Sequence, residues 1–219
     1  MDEQQQPGLA RVLKQANGDR CGTRPLIVVV DGPNYAGKTT FVGRLSQHTT
    51  RANTRVLGFP RGDTHFGSLA RKTFADEHET EDTRAGYVAQ DFVEALKEIA
   101  TDSSQDLVIW DRFYLSTCAC QGYAGWQALK QHRVFDYPVQ PDVYVIVDVD
   151  YPEALRRAAV RRAAQGIAWD QRIEDKELAS EEAWDSARLR FMTYAQMAKR
   201  HMPNTKFLRV DQYDTVYEL

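Results

Sequence analysis

Gly32-Pro33-Asn34-Tyr35-Ala36-Gly37-Lys38-Thr39-Thr40 is the part of this chain best suited to chemistry. Its first eight residues fit the pattern G-x-x-x-x-G-K-S/T without a gap. Glycines at both ends let the backbone wrap so that successive N–H groups point inward, and such a nest attracts phosphate oxygens. A helix beginning at Lys38 would add the partial positive charge of its first turn. In that arrangement Lys38 contacts the β- and γ-phosphates and the Thr39 hydroxyl ligates Mg²⁺. Gly32, Asn34, Tyr35, Ala36, Gly37, Lys38, Thr39 and Thr40 are therefore the expected ATP-binding set.

A second cluster, Asp111-Arg112-Phe113, follows the apolar run Leu107–Trp110. In a parallel sheet, ligands gather at the carboxyl ends of the strands. Asp111 is then placed to hold Mg²⁺ or its water. Arg112 is placed to grip a phosphate through its fork of donors.

These residues need a scaffold. Short apolar, β-branched runs occur at Leu26–Val30, Leu107–Trp110, Val143–Val149 and Phe207–Val210, with Arg55–Phe59 a weaker fifth. Amphipathic stretches of helical length lie between them, among them Gly37–His48, Arg84–Ile99, Pro152–Ala164 and Ser180–His201. Strands apolar on both faces and separated by helices predict a parallel sheet covered on each side. One three-layer α/β/α domain is expected over residues 25–219, with residues 1–24 as a flexible or weakly helical extension.

Bulk properties fit that picture. With 42% hydrophobic and 27% charged residues, the 219-residue chain has the composition of a globular protein. A formal net charge of −3 gives no basic surface for nucleic acid or for a membrane. Apolar runs such as Leu26–Val30 are too short to span a bilayer. No signal peptide is visible, and Cys21, Cys118 and Cys120 form neither a disulfide frame nor a zinc site. A reducing, cytoplasmic location is the expectation.

Four patches together resemble the thymidylate kinase family of nucleoside monophosphate kinases. The phosphate loop is the first. Phe59-Pro60-Arg61-Gly62-Asp63-Thr64-His65-Phe66-Gly67 is the second, and Asp111-Arg112-Phe113-Tyr114-Leu115-Ser116 with Gln121-Gly122 the third. The fourth runs from Pro141-Asp142 and Asp148-Val149-Asp150 through Ala154-Leu155-Arg156-Arg157-Ala158 to Asp170, Arg172-Ile173-Glu174 and Tyr194. The resemblance covers residues from about 25 to 213. It implies a P-loop kinase fold with a five-stranded parallel sheet and a helical lid at about 161–177. It implies transfer of the γ-phosphoryl of ATP to dTMP, with Mg²⁺ as cofactor, small-molecule nucleotides as partners, and the homodimer that family members often form. Phe59 would stack on the acceptor base, Arg61 would reach its exocyclic oxygen, and Gln121 would read the base edge. The loop supplies no arginine at Tyr35, so the cations for the transferred group are expected from Arg161 and Arg172, with Arg157 and Arg162 nearby.

Three departures surround the acceptor. Asn34 stands where the family carries an acid, Phe92 where it carries an arginine, and Cys120 where it carries an aromatic ring. Arg71, Arg84 or Arg112 must then serve the acceptor phosphate. A kinase for another or modified nucleoside monophosphate, a deoxynucleoside kinase, and a nucleotide binder without transfer remain alternatives.

Overall fold

The computed structural model describes residues 7–16, 24–76, 78–102, 104–165 and 173–219. The apolar runs become parallel strands: β1 (Leu26–Asp31), β2 (Thr54–Gly58), β3 (Leu107–Asp111), β4 (Val143–Val147) and β5 (Lys206–Val210). A sixth strand, β6 (Val216–Glu218), pairs antiparallel with β5 at one edge, giving the order β2-β3-β1-β4-β5-β6. The expected count of five therefore holds only for the parallel strands. Strand β6 has three residues, of which only Val216 is buried, so it leaves no apolar run to read.

Helices α1 (Pro7–Ala16), α2 (Lys38–His48), α3 (His65–Ala75), α4 (Glu81–Thr101), α5 (Tyr114–Gln131), α6 (Tyr151–Gln165) and α7 (Glu181–Lys199) complete the described elements, with short 3₁₀ turns at Val134–Asp136 and Ile173–Leu178. Side chains alternate across a strand, and β1 shows both faces in use. Ile27 and Val29 enter a core with α4, α5 and α7 through residues such as Phe92, Leu96, Tyr114 and Phe191. Leu26, Val28 and Val30 enter the opposite core with Phe41 and Leu45 of α2 and Ala154 and Ala158 of α6. The three-layer α/β/α class is thus observed.

The N-terminal segment, expected to be flexible or weakly helical, contributes helix α1. Leu9 and Val12, three apart on α1, are buried in the core beside α2, so this part of residues 1–24 is docked rather than a loose extension. The rest of that segment apart from Arg24 lies outside the described residues, as does the stretch 166–172 of the expected lid.

Strand β1 lies in mid-sheet between β3 and β4, and the chain leaves its two flanks in opposite directions along the sheet. Such a switch point opens a crevice at the strand ends. Register brings the loop and the second cluster together, because Val30 lies opposite Asp111.

Candidate active site

The loop after β1 has the backbone its glycines require. Gly32 adopts φ 138° and Gly37 adopts φ 96°, and Gly37 caps α2 without a side chain. A Cβ on Gly37 would collide with the Arg157 guanidinium. Arg157 donates to the Ala36 carbonyl and is braced by Glu153 at 2.7 Å. Lys38 is buried and folds over its own loop, donating to the carbonyls of Gly32 at 2.8 Å and Pro33 at 2.6 Å. Burial, then the positive charge of Arg112, lowers its pKa to about 7. The Thr39 hydroxyl donates to Asp111 Oδ2 at 2.9 Å, while Asp111 Oδ1 is buried without a hydrogen-bond partner. Thr40, the last residue of the expected set, is exposed on α2.

The turn after β3 is fixed by a residue that sequence reasoning passed over. Asp31, the last residue of β1, is fully buried. Its carboxylate accepts from the backbone N–H groups of Gly32, Phe113 and Ser116, each at 3.1 Å, from the Ser116 hydroxyl, and from the Tyr144 hydroxyl at 2.8 Å. Burial, with the negative charge of Asp31 beside it, pushes the Tyr144 phenol up. Asp31 thereby joins the start of the phosphate loop to the first turn of α5. The one available signal was an acid ending an otherwise apolar run. Arg112 sits between the two with a left-handed φ of 73° and donates to Asn34 Oδ1 at 2.8 Å. The Asn34 N–H in turn reaches Glu177 Oε2 at 3.1 Å.

Beside this junction lies a cavity of about 660 Å³. Asn34 and Arg112 line it on the loop side. Phe59, Phe92 and Phe113 form an aromatic wall, with ring centroids of Phe59 and Phe92 4.8 Å apart and of Phe92 and Phe113 4.4 Å apart. Thr117, Cys120 and Gln121 come from α5, and Gln121 Oε1 is buried without a hydrogen-bond partner. Cys120 is exposed and lines the cavity. Arg84, Lys176 and Arg190 bring positive charge to the rim, partly matched by Glu81 and Glu177.

Two expected acceptor residues lie elsewhere. Arg61 is buried and turned away, with Nε donating to Asp91 Oδ1 at 2.8 Å and Nη1 to Glu98 Oε1 at 2.7 Å. Asp91 is fully buried and would be an uncompensated charge without it, which explains the turn. Arg71 is exposed and donates to the Pro60 carbonyl at 2.8 Å. Of the three arginines left for an acceptor phosphate, Arg84 and Arg112 line the cavity, and Arg84 donates to Glu81 and to the Thr73 and Asp76 carbonyls. Near the loop, Arg161 and Arg162 both face the Tyr35 ring, and Arg172 lies outside the described residues.

Comparison with known proteins places this geometry. The family model described as thymidylate kinase matches residues 30–202. A thymidylate kinase of Xanthomonas oryzae pv. oryzae is 28% identical over 139 residues, covering 62% of this chain and 61% of that protein. A probable thymidylate kinase of Methanococcus maripaludis is 31% identical over 134 residues, covering 61% and 65%. The chain thus matches less than two thirds of the length of both relatives. Among solved structures, thymidylate kinase from Candida albicans superposes with a TM-score of 0.60 at 16% identity over 86% of this chain and 85% of that one. Thymidylate kinase from Ehrlichia chaffeensis does so with a TM-score of 0.55 at 19% identity, over 85% and 88%. Those two show a shared fold, while the family model spans the phosphate loop, the cavity-lining residues and strands β2, β3 and β4. The chain belongs to the thymidylate kinase family.

Proposed function

We propose that the chain is an ATP-dependent nucleoside monophosphate kinase that transfers the γ-phosphoryl group of ATP to dTMP. One observation carries the reading: a phosphate-binding loop opens onto a separate aromatic and cationic cavity, and the hydrogen bond from Arg112 to Asn34 sits where the two meet. Two compartments with a cation at their boundary suit two nucleotides placed phosphate to phosphate.

In this reading the loop N–H groups and Lys38 hold the triphosphate, and α2 adds its dipole. The aromatic wall takes the flat face of the acceptor base. Gln121 Oε1, an acceptor lacking a partner, takes an N–H from the base edge. Arg112 and Arg84 take the acceptor phosphate. A phosphate acceptor is already ionised and requires no strong base. Asp31 is engaged by all its hydrogen-bonding neighbours and is not available as one. Phosphoryl transfer then depends on alignment and on cations over the equatorial oxygens. Arg157, Arg161, Arg162 and Arg172 are the candidates for those cations.

Magnesium fits the donors offered by Thr39 and Asp111, a hydroxyl and a carboxylate whose second oxygen is buried and unpartnered. Among the described residues no group of three or more His, Cys, Asp or Glu gathers as a metal site. That suits an ion which draws most of its ligands from phosphates and water. When bound, it neutralises phosphate charge. No helix among the described residues is long and apolar enough to cross a membrane. A cytoplasmic location and a homodimer belong to the same proposal and rest on family resemblance.

The test is an acceptor screen with ATP and Mg²⁺, measuring ADP formation with dTMP, thymidine, and the other deoxy- and ribonucleoside monophosphates. The expected result is strongest stimulation by dTMP. Stimulation by thymidine alone would make the chain a deoxynucleoside kinase, and no stimulation by any acceptor would make it a nucleotide binder.

A further inference from the structure

Tyr35 has a left-handed backbone, with φ 63°. Bulky side chains avoid that region because Cβ crowds the neighbouring carbonyl. Strain of this kind persists only where surrounding contacts hold it. The residue is 8% exposed and belongs to the core beside α2 and α6. Over its ring stand two cations, with the guanidinium carbons of Arg161 and Arg162 at 5.7 and 5.9 Å from the centroid. Arg162 is 4% exposed, so its attraction to the ring is weakened little by water. One turn earlier on α6, Arg157 donates to the carbonyl of Ala36, the residue after Tyr35. A single helix thus touches consecutive loop residues with three arginines.

We propose that Tyr35 is a positioning residue whose ring seats Arg161 and Arg162 beside the phosphate loop, so that their charge is in place before the phosphoryl group moves. The idea rests on the kinase reading above and gives it a further part. Charge that is already oriented stabilises the transition state without reorganisation at the moment of reaction. A loop that lacks its own arginine can in this way hold two from α6 by an aromatic face. The ring also lets two like charges share one small region, since its negative face lies toward both.

The test uses Tyr35→Leu and Tyr35→Phe in the full chain, with two readouts. The first is the NMR position of the Arg161 and Arg162 side-chain signals, which the ring current displaces. The displacement is expected in wild type and Tyr35→Phe and lost in Tyr35→Leu. The second is steady-state kinetics. Tyr35→Leu is expected to lower kcat about 10-fold while the acceptor KM stays within about 2-fold, and Tyr35→Phe is expected to recover most of that loss. In an Arg161→Ala/Arg162→Ala background the leucine change should cost almost nothing more. An active wild type whose kcat ignores Tyr35→Leu, or a leucine effect that persists in full without the arginines, overturns this inference alone. A wild type that shows the ring displacement but phosphorylates no nucleotide overturns the kinase reading, and the catalytic purpose of the seat with it.

Discussion

Replacing Asp91 by asparagine tests whether Arg61 is a structural residue. Asp91 is 0% exposed, and Arg61 is 4% exposed. The Asp91 carboxylate accepts from the Arg61 backbone N–H, Arg61 Nε and the Thr64 hydroxyl, each at 2.8 Å. An amide keeps one acceptor oxygen and turns an NH₂ toward groups that already donate, so at least one of these donors loses its partner. Glu98 and Glu94 still face the guanidinium at 2.7 and 3.6 Å, but both are partly exposed to water and compensate only in part. Breaking a buried pair on one side typically costs about 3–5 kcal/mol. At about 2–4 °C per kcal/mol for a chain of this size, Asp91→Asn should lower Tm by roughly 6–20 °C. Differential scanning calorimetry measures this directly. The acceptor KM, determined at a temperature where the variant is folded, should move by less than about 3-fold, because Arg61 does not line the cavity. A Tm loss under about 3 °C together with a large rise in acceptor KM would return Arg61 to the substrate and refute the structural account.

Three further outcomes follow from the loop. Lys38→Met should lower kcat by about 10²–10³-fold, the scale for losing one electrostatic donor, without unfolding the chain. The folded Lys38 pKa, about 7, lies below its ordinary 10.5, so between these values the unfolded chain holds a proton that the folded chain has released, and this group's contribution to stability rises with pH. Urea midpoints of the nucleotide-free proteins should therefore show wild type gaining on Lys38→Met between about pH 7 and 8.5; a constant gap would contradict the shift. Asn34→Asp converts the 2.8 Å bond from Arg112 into an ion pair. If Arg112 must leave it to meet the acceptor phosphate, the acceptor KM should rise about 10-fold, the equivalent of about 1.4 kcal/mol, whereas an unchanged KM would mean that Arg112 serves another group.

The readable features were mostly those set by local chemistry. The phosphate loop needs two glycines, a lysine and a hydroxyl within one turn of chain, and its strand and helix announce themselves by hydrophobic period. Placing Asp111 at the end of a buried parallel strand put it near the phosphate loop, where it accepts from the Thr39 hydroxyl. Side-chain directions set by packing were not readable. Arg61 sits in a segment that resembles a substrate-reading motif, but its partner is 30 residues away on a different element. Asp31 gathers donors from the phosphate loop, the turn before α5 and strand β4, and no spacing within the sequence brings those together. The docking of α1 left a trace in the spacing of Leu9, Val12 and Leu13, but so short an apolar stripe in a polar segment predicts little without the surface that receives it.

Helix α5 is interrupted at Gly122, whose φ of 57° and ψ of −132° are not helical. Ser116, Thr117, Cys120 and Gln121 precede the break and border the cavity, while Trp126, Ala128 and Leu129 follow it and lie in the interior. A continuous helix would transmit a rotation at one end to the other. With a hinge of one residue between them, the wall can be re-cut for a different guest while the buried anchor stays where it is. In this chain, changing what is bound and preserving what keeps the domain folded are separable at Cys120 and Gln121, whereas Ser116 holds Asp31 and Cys118 and Ala119 belong to the core.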